Sequence, residues 1–324
     1  MAAPCQITRG AHMRNIKVFD PSDFPAYLPK LNYLYDDLFG GGKGFRSALV
    51  QKVAGPLNAS DRTVELLCQT IEFIHNASLL HDDLVDRSHL RRNKPTAWLK
   101  HTPEYAVLAG DYLLARVMVN LSRNGNVKLI QYTAEMISDL LEGEWIQDSL
   151  VRDFNITLAQ LDRVHNLKTA SLFKWCLRAP FIAVENYDRD VHGLLEEAGT
   201  LLGLLFQRSD DLLDFDVRNY ENKAVLGDLK SGYLNSFGVF LTRELPEEKR
   251  QAVFKSQSLG ELKSVIGENC FDQRLGEFDR MNVSLIELYD HQIQRLATLL
   301  PGGAGAQLAA ELLPLSKPLY WRKK

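Results

Sequence analysis

Residues 71–96, IEFIHNASLLHDDLVDRSHLRRNKPT, carry an apolar helical pattern straight into three acids and then into a knot of bases. Asp82, Asp83 and Asp86 stand at i, i+1 and i+4, so on a 3.6-residue helix they fall within an arc of about 100° and crowd one end of it. Like charges at that spacing cost a helix a few tenths of a kcal/mol per pair, and desolvation at a cleft wall adds to the cost. Stability does not account for the arrangement; a cation does. Convergent carboxylates are hard oxygen ligands suited to Mg²⁺, an ion that keeps several waters and shares phosphate oxygens with a substrate. Arg87, Arg91, Arg92 and Lys94 follow at once, and guanidinium forks match phosphate.

One D-D-x-x-D is weak evidence, because the pattern arises by chance at solvated helix ends. Here a second copy stands at Asp210, Asp211 and Asp214 in LLGLLFQRSDDLLDFD, residues 201–216. It too closes a strongly apolar segment, with Leu212 and Leu213 inside it as Leu84 and Val85 are inside the first. Two acidic faces aimed at one cavity would cage a polyanion and several divalent ions.

The 324 residues show no Pro/Gly/Ser linker, low-complexity tract or long charge block. The expectation is one domain over residues 14–324, with residues 1–13 a tail ahead of it. A net charge of −3 excludes a strongly basic nucleic-acid surface. The first residues lack the apolar stretch of a secretory signal, and the longest apolar runs, such as Ala198–Phe206, fall far short of the ~18 residues that span a bilayer. Cys5, Cys68, Cys176 and Cys270 are dispersed without a C-x-x-C pair, which points to reduced structural thiols. Together these features predict a soluble, cytoplasmic protein without a stable membrane anchor.

Apolar residues recur at helical spacing in Leu66–Ala77, Tyr105–Leu121, Leu129–Leu150, Leu158–Leu177, Val191–Phe215 and Phe271–Leu300, and strand alternation is almost absent. Gly143 is expected to interrupt the third of these, Pro180 to follow the fourth and Pro301-Gly302-Gly303 to end the last. The fold class is therefore all-α, a single-domain bundle of about ten or more helices with a buried central layer around a cavity.

Basic residues supply the complement. The run Phe39-Gly-Gly-Gly-Lys43-Gly-Phe-Arg46 is not a Walker loop, since Gly44 stands where Ser or Thr is required and Asp37 where the first Gly belongs. Glycines opening a helix with Lys43 and Arg46 still form an anion site. His75 lies two turns before Asp82 on nearly the same face. Polar groups interrupt apolar stretches at Glu142-Gly143-Glu144 with Gln147, and again at Lys168-Thr169. Lys223 and Lys230 sit in a turn-rich loop after the second acidic motif, where they could fold over a bound anion.

Taken in order, Gly41-Gly42-Lys43-x-x-Arg46, His75, Asp82-Asp83-x-x-Asp86, Arg91-Arg92-x-Lys94-Pro95-Thr96, Glu142-Gly143-Glu144-x-x-Gln147, Lys168-Thr169, Phe206-Gln207-x-x-Asp210-Asp211-x-x-Asp214 and Lys223 with Asp228-Leu229 resemble the trans-isoprenyl diphosphate synthase family. The likeness runs from about residue 30 onward. It implies the isoprenoid synthase type I fold and head-to-tail condensation of isopentenyl diphosphate with an allylic prenyl diphosphate, with release of diphosphate. By this resemblance Asp82, Asp83, Asp86 and Asp210 hold Mg²⁺, three ions per active site, while Asp211 and Asp214 are oriented from the second motif. Arg91, Lys168 and Lys223 face the allylic diphosphate; Lys43, Arg46, His75 and Arg92 hold that of isopentenyl diphosphate, and Gln147 joins the substrate-binding set. Thr169 and Gln207 are candidate dipoles for the carbocation, and a homodimer is implied.

The chain departs from the family at Gly44, Ser47, Asn93, Arg208, Tyr233 and Asn235-Ser236-Phe237; at Tyr233 a lysine is usual, and Lys230 or Arg322, Lys323 and Lys324 are possible substitutes. Product length is read from the helix before Asp82. Ala77, Ser78 and Ile74 are small or modest where short-product enzymes place a ring, so the expected product is at least C20 and as long as C30–C45, with transient membrane contact for its release. The competing readings are a short-chain (C15–C20) synthase, a non-catalytic subunit of a hetero-oligomeric synthase, and a terpene cyclase or head-to-head condensing enzyme.

Overall fold

The computed structural model describes residues 23–25, 27–29, 31, 44–91, 94–153, 155–215 and 225–321. Nearly all regular structure among them is helical, with more than ten helices and one short ribbon in which Leu90–Arg91 pairs antiparallel with Lys94–Pro95. The described residues divide into two compact units, one holding those up to Ile137 with Trp175–Asp188, the other Ser138–Lys174 with those from Arg189 onward. No helix among the described residues is long and apolar enough to cross a membrane.

In the first unit the helix Asp61–Val85 packs along the helix Pro103–Asn124. The former starts at Ser60, whose hydroxyl accepts the Thr63 N–H, and the latter at Thr102, whose hydroxyl accepts the Tyr105 N–H ahead of a first-turn proline. Leu67, Cys68, Ile71, Ile74 and Ala77 form the covered face of Asp61–Val85. Helix Phe45–Ala54 is tied to it by Ser47, whose N–H and hydroxyl both donate to Glu72 Oε1 at 3.2 and 2.6 Å. A proline at position 47 would have no N–H for that bond. A buried Asp23 carboxylate accepts from Gln69, Arg116 and Asn120, and the adjacent Phe24 meets Phe73 edge-on, so this short segment bridges the two long helices. Cys68 and Cys176 are buried free thiols. Burial pushes the Cys68 thiol up to about 12 and raises that of Cys176 as well, which leaves both unreactive.

In the second unit the helix Arg189–Leu213 lies against the long helix Glu268–Leu299. Phe215, Phe237, Phe240, Phe271 and Phe278 interlock in a core with centroid separations of 4.9 to 5.7 Å. Arg208 is 3% exposed, and both of its terminal nitrogens are bonded. It donates to both Asp162 oxygens and to Asn282 Oδ1; Asn282 in turn bonds the Tyr320 hydroxyl, which reaches Asp279. Arg208 is thus the centre of a polar network that includes the last described helix, Ser316–Tyr320.

Two expected breaks are absent. The segment expected as a single helix over Leu158–Leu177 is Leu158–His165, a π-helical turn Asn166–Ala170, and Ser171–Ala183 with Pro180 inside it. Close burial of Ala179, Phe181 and Ile182 outweighs the one backbone bond that Pro180 removes. The helix Val127–Ser149 likewise runs through Gly143 unbroken. That glycine permits close approach, since a Cβ there would lie 3.0 Å from the Lys168 amide nitrogen.

Candidate active site

Both acidic motifs close helices of 25 residues, Asp61–Val85 and Arg189–Leu213, and neither helix carries a base in its last turn. A helix C-terminus holds about half a negative charge, so acids there oppose the dipole at roughly 0.3–1 kcal/mol each. Six carboxylates at two such ends call for cations.

Within each motif the aspartates differ. Asp83 and Asp211, the middle members, are buried and committed to protein partners; Asp82 and Asp210 keep part of their surface in solvent. Asp86 caps the first helix and is exposed, and Arg87 then takes a left-handed conformation (φ 52°) that turns the chain back into the ribbon. The ribbon delivers Arg91, whose guanidinium grips Asp83 with Nε at 2.8 and 2.9 Å and Nη2 at 2.7 Å. Arg91, expected to face a diphosphate, and Asp83, expected to hold a metal, thus bind each other. The geometry is that of a bidentate pair that fixes the turn behind Asp86.

In the second motif Asp211 accepts the Ser236 N–H at 2.9 Å and hydroxyl at 2.5 Å on one oxygen, and the Gln207 amide at 2.9 Å on the other. Burial raises its carboxyl above the usual carboxylate range against these bonds, and the Asp210 charge adds to the rise. Gln207 Oε1 accepts the Thr169 hydroxyl at 3.0 Å, so Thr169, Gln207, Asp211 and Ser236 form one hydrogen-bonded chain. Asp214 takes the Leu226 N–H on its carbonyl and the Asp228 N–H on its carboxylate, which ties the motif to the following turn.

The π-helical turn carries Lys168 and Thr169. It fits against two helices that offer no side chain at the crossing: Gly143 faces Lys168, and a Cβ on Gly203 would stand 2.3 Å from the Ala170 Cα. Lys168 pairs with Glu144. Glu142 points outward to Arg163 instead, and Gln147 is half-buried on the same helix. Nearby, burial lowers the His165 imidazole to about 4, so it packs as a neutral ring. Among the described residues no three His, Cys, Asp or Glu side chains could hold a metal ion by themselves. The fit to Mg²⁺ rests on the donor chemistry: at either helix end, partly exposed carboxylate oxygens suit an ion completed by water and substrate oxygens.

Residues 28–267 match the polyprenyl synthetase family. The chain belongs to that family. Octaprenyl diphosphate synthase of Escherichia coli (strain K12) is 34% identical over 194 residues, covering 60% of each protein, so the match spans about three fifths of that relative's length. A prenyl transferase of Synechocystis sp. is 35% identical over 226 residues, 67% of this chain and 69% of the relative. Among solved structures, a decaprenyl diphosphate synthase from Rhodobacter capsulatus superimposes with a TM-score of 0.80 at 27% identity, over 93% of this chain and 92% of that one. A polyprenyl synthase from Caulobacter crescentus CB15, complexed with calcium and isoprenyl diphosphate, gives 0.73 at 26% identity, over 92% and 90%.

Lys43, Arg92, Lys223, Arg322, Lys323 and Lys324 lie outside the described residues. Gly44, with φ 58°, opens the helix that carries the half-buried Arg46, and His75 is half-buried two turns above Asp82. Lys230 is exposed and donates to the Val225 carbonyl. Of the three chain-length positions, Ala77 and Ile74 are fully covered, whereas Ser78 keeps accessible surface and donates to the His75 carbonyl. Sequence reasoning missed Asp162 and Ser236 as partners of the second motif. The Arg208 and Ser236 departures were the signal, because a basic residue in an apolar helix needs an acid somewhere.

Proposed function

We propose that the chain is a trans-prenyltransferase that condenses isopentenyl diphosphate head-to-tail with an allylic prenyl diphosphate. The observation that carries this reading is the pair of aspartate triads closing two equal helices with no base in either last turn. The Caulobacter crescentus relative binds calcium and isoprenyl diphosphate, which supports the same ligand class here.

Asp82, Asp86 and Asp210 would hold Mg²⁺, which supplies Lewis acidity at the departing diphosphate. The chain's own residues do the rest. Asp83 and Arg91 fix the turn that presents Asp86. Asp211 holds the Gln207 amide, so the carbonyl of Gln207 accepts a hydrogen bond from the Thr169 hydroxyl and the Thr169 oxygen turns its lone pairs outward, a polarity that suits a developing carbocation. Lys168, Arg91 and Lys223 add positive charge for the allylic diphosphate, and Lys43, Arg46, His75 and Arg92 serve the second one. Turnover of labelled isopentenyl diphosphate with geranyl or farnesyl diphosphate tests the reading; a protein that keeps its fold and yields no product is a non-catalytic subunit.

The product is long, at least C20 and in the range C30–C45, in keeping with relatives named octaprenyl and solanesyl diphosphate synthase. Ser78, the chain-length position with accessible surface, is where a ring would intrude. Ser78→Phe should shorten the product by several C5 units and leave the first condensation intact, as chromatography of dephosphorylated products will read; unchanged products would remove this helix as the ruler. Ala77→Tyr, by contrast, would overpack a filled site.

The protein acts as a homodimer, a reading supported by the exposed Val107, Leu108 and Val119 on the helix Pro103–Asn124. Light scattering at micromolar concentration should give twice the 36.7 kDa chain mass, and a clean monomer would overturn it.

A further inference from the structure

The Tyr233 hydroxyl is buried without a hydrogen-bond partner, the one tyrosine hydroxyl in that position among the described residues. Its backbone is well fixed, since the Tyr233 N–H donates to the Asp228 carbonyl at 2.9 Å and closes the turn Asp228–Gly232. The charges of three carboxylates act on the phenol: Asp211, Asp228 and Glu144. Each is already engaged. Asp211 accepts from Ser236 and Gln207, Asp228 Oδ2 accepts from Asn235 Nδ2 at 2.9 Å, and Glu144 pairs with Lys168.

A buried donor left unpaired costs about 1–3 kcal/mol, and phenylalanine would fill the same space without that cost. The hydroxyl therefore calls for an acceptor that the chain's own described residues do not supply. Burial and the three carboxylate charges also hold the phenol far above its ordinary pKa, so it remains protonated and can act only as a donor toward an anion.

We propose that Tyr233 is a substrate-binding residue whose hydroxyl donates a hydrogen bond to an oxygen of the diphosphate held at the second acidic motif. This rests on the prenyltransferase reading. A phenol suits the position because a neutral donor does not compete with Lys168 for Glu144. Its bond would strengthen as negative charge builds on the departing diphosphate, so the effect falls on turnover more than on ground-state binding.

The test is Tyr233→Phe in the full chain, read three ways. Without ligand, the melting temperature should stay level or rise, because an unpaired buried hydroxyl has been removed. Inorganic diphosphate with Mg²⁺, followed by calorimetry, should bind severalfold more weakly than to the unaltered protein. With allylic and isopentenyl diphosphates, kcat should fall about ten- to a hundredfold. Unchanged diphosphate affinity and unchanged kcat would overturn the proposal, as would a lower melting temperature with unaltered kinetics, which would mean that the hydroxyl serves only a structural water. If the unaltered protein turns over no prenyl substrate yet binds diphosphate through Tyr233, the prenyltransferase reading fails and this assignment stands.

Discussion

Replacing Asp82 or Asp210 with alanine should lower turnover by a hundredfold to a thousandfold in saturating Mg²⁺ while far-ultraviolet circular dichroism stays unchanged. Both are half-exposed acids at the negative ends of long helices, so their removal relieves repulsion and costs the fold little. Their loss is expressed when a polyanion must be held and its bridging oxygen must leave with negative charge. The middle aspartates should behave differently. Asp83→Ala leaves Arg91 without its bidentate partner and frees the turn behind Asp86, and Asp211→Ala strands two Ser236 donors and the Gln207 amide. Those variants should lose thermal stability together with activity. Near-normal rates for Asp82→Ala or Asp210→Ala would refute the metal assignment.

Asp162→Ala should be among the most destabilising single changes outside the apolar core. It leaves the Arg208 guanidinium, with 4% of its side chain exposed, on Asn282 alone. Breaking a buried pair by removing one partner costs about 3–5 kcal/mol, and the lower end applies because Asp162 keeps a third of its side chain in water. The melting temperature should fall by several degrees. Adding Arg208→Met to Asp162→Ala removes the stranded charge and should recover most of the loss, since well-packed apolar side chains can replace buried ion pairs at little cost. A double variant no more stable than Asp162→Ala would show that the pair is not what holds this corner.

The helical architecture was legible because apolar spacing carries it: four of the long helices begin or end within three residues of the periodic segments read from the sequence, as Arg189–Leu213 does for Val191–Phe215. The acidic motifs were legible as well, for no packing demand places three aspartates at one helix end. The partners of those aspartates were not. Arg91 lies eight residues from Asp83, but its pairing depends on Arg87 entering a left-handed turn, which side-chain pattern does not announce. Ser236 is 25 residues from Asp211, and Asp162 is 46 from Arg208. Contacts of that range follow from tertiary packing rather than local period. Pro180 and Gly143 misled for the same reason, because each marks a break only where neighbours do not compensate.

The turn at Asn166–Ala170 has a consequence for how this chain tolerates insertion and deletion. A π-helical turn accommodates one residue more than the α-helix around it, so it is a length surplus held inside an otherwise regular rod. Each residue of an α-helix advances the side chains by about 100°. Deleting one residue here would let the rod close to α geometry, yet it would swing Lys168 and Thr169 about a quarter-turn away from Glu144 and Gln207 while the downstream helix kept its seat. The surplus residue lets a single rod serve two registers at once, one set by the buried face of Ser171–Ala183 and the other by the polar partners of Lys168 and Thr169.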